Sequence, residues 1–215
     1  MGITRPGSTR RPRLIRDERP RPPRVPRLRA SAAALAALVL AGCSTYLGGS
    51  RPIDPSELAA PGWIAVTNVP HIAQRDDLDC GAAALAMVLV HWKAVQGIDD
   101  VLAACPPAPE RGIEAGALRD FARKSGLEAY LIEGDFKVFE KELARGRPVL
   151  VGMFKRTLGG VVTHFEVVVG YHPERRLVAT IDPSLGSRVN DEAGFSEEWD
   201  LAKRLTLVVF RLRGE

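Results

Sequence analysis

From residue 63 onward the chain alternates short apolar runs with longer apolar or amphipathic stretches, punctuated by Gly, Pro and Asp. The pattern predicts a short first strand over 63–69 and a helix over 80–92 that is apolar on every side, the signature of complete burial. An amphipathic helix follows over 113–125, stopped by Gly126, and then a strand over 127–132. Asp135 stands where a helix cap belongs, ahead of a helix running to about residue 144. Three apolar strands come next, at 148–154, 164–171 and 177–182. A short helix opens at Ser196-Glu197-Glu198-Trp199, and a strand over 205–212 closes the chain. Helices come first and a largely antiparallel sheet later, which places the chain in the α+β class.

The region before residue 63 has a different character. Residues 1–29 carry ten arginines and two acids, Asp17 and Glu18, and no apolar periodicity able to build a core. An apolar run of about a dozen residues follows over 30–41, well short of the roughly 20 needed to span a bilayer. It ends in Leu40-Ala41-Gly42-Cys43, which resembles the lipobox at which bacterial lipoproteins are lipidated on cysteine and cleaved just before it. Thr9-Arg10-Arg11 partly resembles a twin-arginine export signal. Gly, Ser and Pro then recur to about residue 61, as in a linker. The expected organisation is an export signal over 1–42, a lipidated Cys43 with a flexible linker to 61, and one folded domain over 62–215. Ser44, rather than Asp, after the lipidated cysteine points to the outer membrane, facing the periplasm, more than to the inner membrane.

The overall charge of +4 changes meaning once this leader is set aside. From residue 30 onward 20 basic residues face 24 acidic ones, a net −4, so no basic face for nucleic acid is expected. The expected membrane partner is reached through the lipid anchor, since several acyl chains hold firmly at about 0.8 kcal/mol per buried methylene.

Candidate chemistry gathers around Cys80. A thiolate is the reactive form of cysteine, and a helix N-terminus favours it. Asp79 is placed to cap that helix, and Gly81 to leave room for a substrate backbone. The acids Asp76, Asp77 and Asp79 oppose a thiolate, so a cationic partner is required. The plainer alternatives are a small core cysteine, or a disulfide with Cys105 in an oxidising compartment. Of the four histidines, His164 opens a strand after Gly159-Gly160. A hairpin turning around Pro173 would set His164 directly opposite Asp182, with Cβ atoms about 4.5–5.5 Å apart, so that the carboxylate could orient the imidazole. Gln74, six residues before Cys80, is a candidate amide donor to the oxyanion of an acyl transfer, and otherwise a surface polar residue. No histidine pair has zinc-ligand spacing with cysteine or carboxylate support, and no metal or other cofactor is expected.

These segments resemble a known family. Val69-Pro70-His71-Ile72-Ala73-Gln74, then Asp79-Cys80-Gly81-Ala82-Ala83-Ala84-Leu85-Ala86-Met87, His164-Phe165-Glu166-Val167-Val168-Val169-Gly170 and Ile181-Asp182-Pro183 are similar to the motifs of the bacteriocin-processing cysteine peptidases, family thirty-nine, which cut after double-glycine leaders. The resemblance covers about residues 65 to 190. It implies a papain-like fold, a Cys80, His164, Asp182 triad with Gln74 as oxyanion donor, and a peptide or protein substrate. Members that process bacteriocins are usually fused to a transporter, whereas an exported chain implies a periplasmic polypeptide as substrate. Two other readings stand beside it: a non-catalytic binding or assembly lipoprotein with the same fold, and a cell-wall amidase of the NlpC type.

Overall fold

The computed structural model describes residues 1–2, 50–109, 111–157 and 160–212. The expected export signal, Cys43 and the expected linker up to residue 49 lie outside these. The rest of that linker is corrected by the structure. Arg51–Pro52 (β1) pairs with Gly186–Asp191 (β7), and Arg188 holds Ser50 through bonds of 3.0 and 2.8 Å. Pro55–Ala59 is a 3-10 helix closed by a capping box: Ser56 N–H donates to Asp54 at 2.9 Å and Asp54 N–H to Glu57 at 3.2 Å. Ile53 and Leu58 are buried in the core. The prolines here are turn punctuation between docked apolar side chains, and residues from 50 onward belong to the folded body.

Cys80–His91 (α1) is the buried helix that its sequence predicts, with no exposure at all from Ala82 to Leu89. It packs against Ile98–Ala104 (α2), Ala115–Lys124 (α3), Val149–Thr157 (β4) and Gly160–His172 (β5). The sequence pattern did not mark α2, whose seven residues bury only Ile98 and Val101, too few to establish a period. Helix α3 ends before Gly126, whose φ of +80° suits glycine. Glu128–Glu133 (β3) and Phe136–Leu143 (α4) follow, and Val138 N–H donates to the capping Asp135 at 2.8 Å.

Among the described residues eight strands form one antiparallel sheet. Its order is β1-β7-β6-β5-β4-β8-β3, where β6 is Leu177–Asp182 and β8 is Leu205–Phe210. The expected first strand shrinks to Ile64–Ala65 (β2), which pairs with β5 beyond the end of β4. The last helix, Glu192–Leu201 (α5), begins four residues earlier than predicted because Asp191 caps it, accepting from Gly194 N–H at 2.8 Å. Helix α5 packs on β4, β6 and β7. Its Phe195 and Trp199 pack against Phe136 and Phe139 of α4, with Phe139 and Trp199 stacked at 4.9 Å between centroids. No helix among the described residues is long and apolar enough to cross a membrane.

The β5–β6 hairpin differs from the expected register. Val167 faces Ile181 and Val168 faces Thr180, but Gly170 faces Ala179, so Val169 is an extra residue on β5. Its carbonyl is taken by Val66 N–H at 2.8 Å, which gives the bulge a partner and fixes it. Continued past Ile181, this register sets Asp182 opposite Glu166 and diagonal to His164. The two expected partners still share a face of the sheet, at the roughly 7–8 Å of diagonal neighbours rather than at the closest spacing.

Candidate active site

Cys80 is the first residue of α1, where the opening backbone N–H groups have no partner within the helix and favour negative charge. Asp79 does not cap this helix. Its carboxylate turns back to accept the N–H groups of Arg75 (3.0 and 3.1 Å) and Asp76 (3.3 Å), and so shapes the loop leading into Cys80. Gly81 makes room for the protein's own core rather than for a substrate, since a Cβ there would sit 3.2–3.4 Å from Phe165 and Leu118. Among the described residues both cysteines are free, so the disulfide alternative is not realised. Cys105 lies buried with its sulfur 3.5 Å from the carbonyl of Ala117, and burial pushes its thiol up.

His164 projects from β5, with its ring near enough to the Cys80 thiol for the thiol to act on its protonation. Nε2 lies 3.1 Å from Asp182 Oδ1, a close contact with the N–H pointing off the oxygen. Such bonds commonly tighten only when substrate is bound. With Nε2 turned to the carboxylate, Nδ1 is the nitrogen left for the sulfur. Burial alone would lower the imidazole, but the Asp182 carboxylate and the Cys80 thiol beside it outweigh that and push it up to about 9.

Asp182 ends β6 and is held from three directions. Oδ1 accepts from Ser184 N–H (2.7 Å), Ser184 Oγ (2.9 Å) and Leu185 N–H (3.2 Å), a turn closed by Gly186 at φ +76°. Oδ2 accepts from Lys155 Nζ at 2.9 Å. Burial acts to raise this carboxyl, but His164 and Lys155 together hold it far below the usual carboxylate range.

Gln74 sits beside that turn, since its backbone N–H donates to Pro183 O at 3.1 Å. Its amide Nε2 donates to Asp76 O at 2.8 Å, which leaves one of its two hydrogens for another acceptor. The structure therefore brings Cys80, His164 and Asp182 together and ties the Gln74 loop to the same turn. An apolar cavity of about 470 Å³ opens next to His164, walled by Met153, Phe154, Phe165, Leu201 and Leu205.

Three charged residues escaped the sequence reading: Lys155, Glu166 and Glu198, each nearly buried. A signal existed for Glu166, the one Asp, Glu, Lys or Arg residue of β5, because a buried charge needs a partner; Lys155, next to Arg156 at the end of the apolar run of β4, gave none. Lys155 Nζ also donates to Glu166 Oε1. His164, Glu166 and Asp182 present atoms within 4.8 Å of one another, a grouping of the kind that holds a cation, and the ammonium bonded to both carboxylates is the chain's own.

Glu198, on α5, has no partner for either carboxylate oxygen among the described residues. Burial pushes its carboxyl up to about 7, against the pull of Lys155. A folded value above the unfolded one means that stability present below pH about 4.5 is lost as pH rises through 7. Glu198→Gln should therefore stabilise the protein by on the order of 2–3 kcal/mol at pH 9 and by under about 1 kcal/mol at pH 5. Urea denaturation at the two pH values checks this, and an equal gain at both would refute it.

The comparisons with known proteins fit this geometry. The sequence matches the family described as Peptidase C39 over residues 68–209. A curated relative, the mesentericin-Y105 transport/processing ATP-binding protein MesD of Leuconostoc mesenteroides, is 30% identical over 131 residues, which is 61% of this chain and only 18% of MesD. Among solved structures, a double glycine motif protease from an AMS/PCAT transporter, in complex with the leader peptide, is 25% identical. It has a TM-score of 0.55 over 69% of this chain and 94% of its own. A putative C39-like peptidase from Bacillus anthracis shares the fold at 19% identity and a TM-score of 0.56, over 70% of this chain and 98% of its own. A match that runs unbroken from before Gln74 to beyond Asp182 is more than a local likeness, and the chain belongs to the Peptidase C39 family of cysteine peptidases.

Proposed function

We propose that this chain hydrolyses peptide bonds of an exported polypeptide, held at a membrane by a lipid on Cys43. The observation that carries the chemistry is His164 Nε2 held 3.1 Å from Asp182 Oδ1, on a ring that the Cys80 thiol at the start of α1 also influences. His164 takes the proton of Cys80 as the sulfur attacks the carbonyl carbon, and the proton then passes to the departing amine. The thioester left on Cys80 is hydrolysed by water, with His164 as base, releasing the acid and restoring the thiol. The Cys80 backbone N–H and the remaining amide hydrogen of Gln74 are the donors for the developing oxyanion. The leader peptide bound by the solved relative supports a polypeptide as substrate, and the apolar cavity beside His164 supplies a surface for its side chains. Leu40-Ala41-Gly42-Cys43 supports the lipid anchor, and Ser44 after it supports an outer-membrane location with a periplasmic substrate.

The test is exposure of the purified protein to a thiol-directed peptide electrophile, with the modified residue mapped by mass spectrometry. Cys80 should react at least about a hundredfold faster than Cys105, whose thiol burial holds up and out of its reactive form. Equal modification of the two cysteines would remove the proposal.

A further inference from the structure

A buried cation stands behind the triad carboxylate. Lys155, on β4 and 4% exposed, meets Asp182 Oδ2 at 2.9 Å, on the oxygen that His164 does not use, and Glu166 with the same ammonium. Lys155 lies four residues along β4 from Val151, the residue paired with Glu166. At about 3.3 Å per residue the two long side chains must extend toward each other along the strands to meet. Stability of the sheet does not account for this arrangement, because desolvating each ion costs several kcal/mol and apolar side chains would serve a core as well or better.

The imidazole of His164 is faced by Asp182 from β6, Glu198 from α5, Lys155 from β4 and the Cys80 thiol from α1, with Glu166 two residues along its own strand. Three carboxyl groups around one imidazole, without a cation, would hold its proton too firmly to hand to a leaving amine. We propose that Lys155, clamped by Glu166, is a positioning residue: it fixes the Asp182 carboxylate from the side away from His164 and offsets the surrounding acids, so that His164 both takes and releases the proton. This inference rests on the peptidase reading above.

Because Lys155 and Glu166 carry opposite charge, their removal has opposite consequences. Without the ammonium the imidazolium is better stabilised, and without the Glu166 carboxylate it is less so. The ring titration of His164, followed by NMR in the full chain and assigned against His164→Gln, reads this directly. The wild-type midpoint is expected near 9. Lys155→Met should raise it by about one unit and Glu166→Gln lower it by about one unit. The double variant should return it to within a few tenths of wild type, as should Lys155→Arg.

Midpoints that stay put in both single variants, or move the same way, overturn the proposal while labelling of Cys80 in the wild type still stands. A wild-type His164 that titrates near 6.5, with Cys80 no more reactive than Cys105, overturns the peptidase reading itself. Should Lys155→Met fail to fold, Glu166→Gln decides: a lowered midpoint supports the proposal and an unmoved one refutes it.

Discussion

Cys80→Ala is expected to end peptide-bond cleavage, with a loss on the order of 10⁶-fold in turnover, and His164→Ala to cost a similar factor. The equivalence arises because nucleophile and base act as one unit: without His164 the sulfur keeps its proton, and without the sulfur the imidazole has nothing to activate. Asp182→Asn should cost less, about 10⁴-fold, because the ring would lose its orienting carboxylate while the thiol and imidazole remain. The fold should tolerate Cys80→Ala, since the sulfur lies at the start of α1 and the residues packed tightest, Ala82 to Leu89, are untouched. The measurement is a comparison of peptides from the periplasm and surface of cells carrying the wild-type chain and each variant. Peptides that vanish with Cys80→Ala identify the substrate, and an unchanged peptide set would sink the enzyme reading.

The second large effect is on stability. Trp199→Ala removes a fully buried ring that touches Phe136, Phe139 and Phe195 and donates its indole N–H to Leu205 O at 3.3 Å. Loss of such a side chain costs about 3–5 kcal/mol, a large part of the 5–15 kcal/mol that holds a typical domain. The expected fall in Tm is on the order of 10 °C. Since Trp199 anchors α5, and α5 brings Glu198 against the sheet beside the triad, activity should fall at temperatures below global unfolding. Urea denaturation checks the magnitude, and a loss below about 1 kcal/mol would mean that the cluster does not organise this side of the core.

Much of this architecture is legible in the sequence, for reasons visible in particular elements. Helix α1 announces itself because a run of Ala, Leu, Met and Val without a polar face has nowhere to go but inside. The central strands β4, β5 and β6 each contain an apolar run, and Asp135 caps as its position requires. Strand β7 is not legible in the sequence because Ser187, Arg188, Asn190 and Asp191 give a polar segment that pairs through its backbone near the sheet edge, where sequence pattern says little. Helix α5 was placed late because its cap, Asp191, belongs by composition to the turn before it.

At the site the residue types were readable and the register was not. The bulge at Val169 depends on Val66, just after β2 and more than a hundred residues earlier, and no local pattern in β5 reveals it. Glu166 is legible only as a misfit, a charge in the buried part of β5, and Lys155 only as one of two basic residues that end an apolar run. Their meaning appears when β4, β5 and β6 are laid side by side.

The early docking of the chain onto the edge of the sheet sets a leash. From Cys43 to Ser50 there are seven peptide links, which even at full stretch reach no more than ~25 Å. Anchored through Cys43 as proposed, the enzyme would patrol a shell little thicker than itself, and a freely diffusing target would meet it rarely. Polypeptides already confined to that bilayer, or still emerging from it, would face a local concentration far above their average in the compartment.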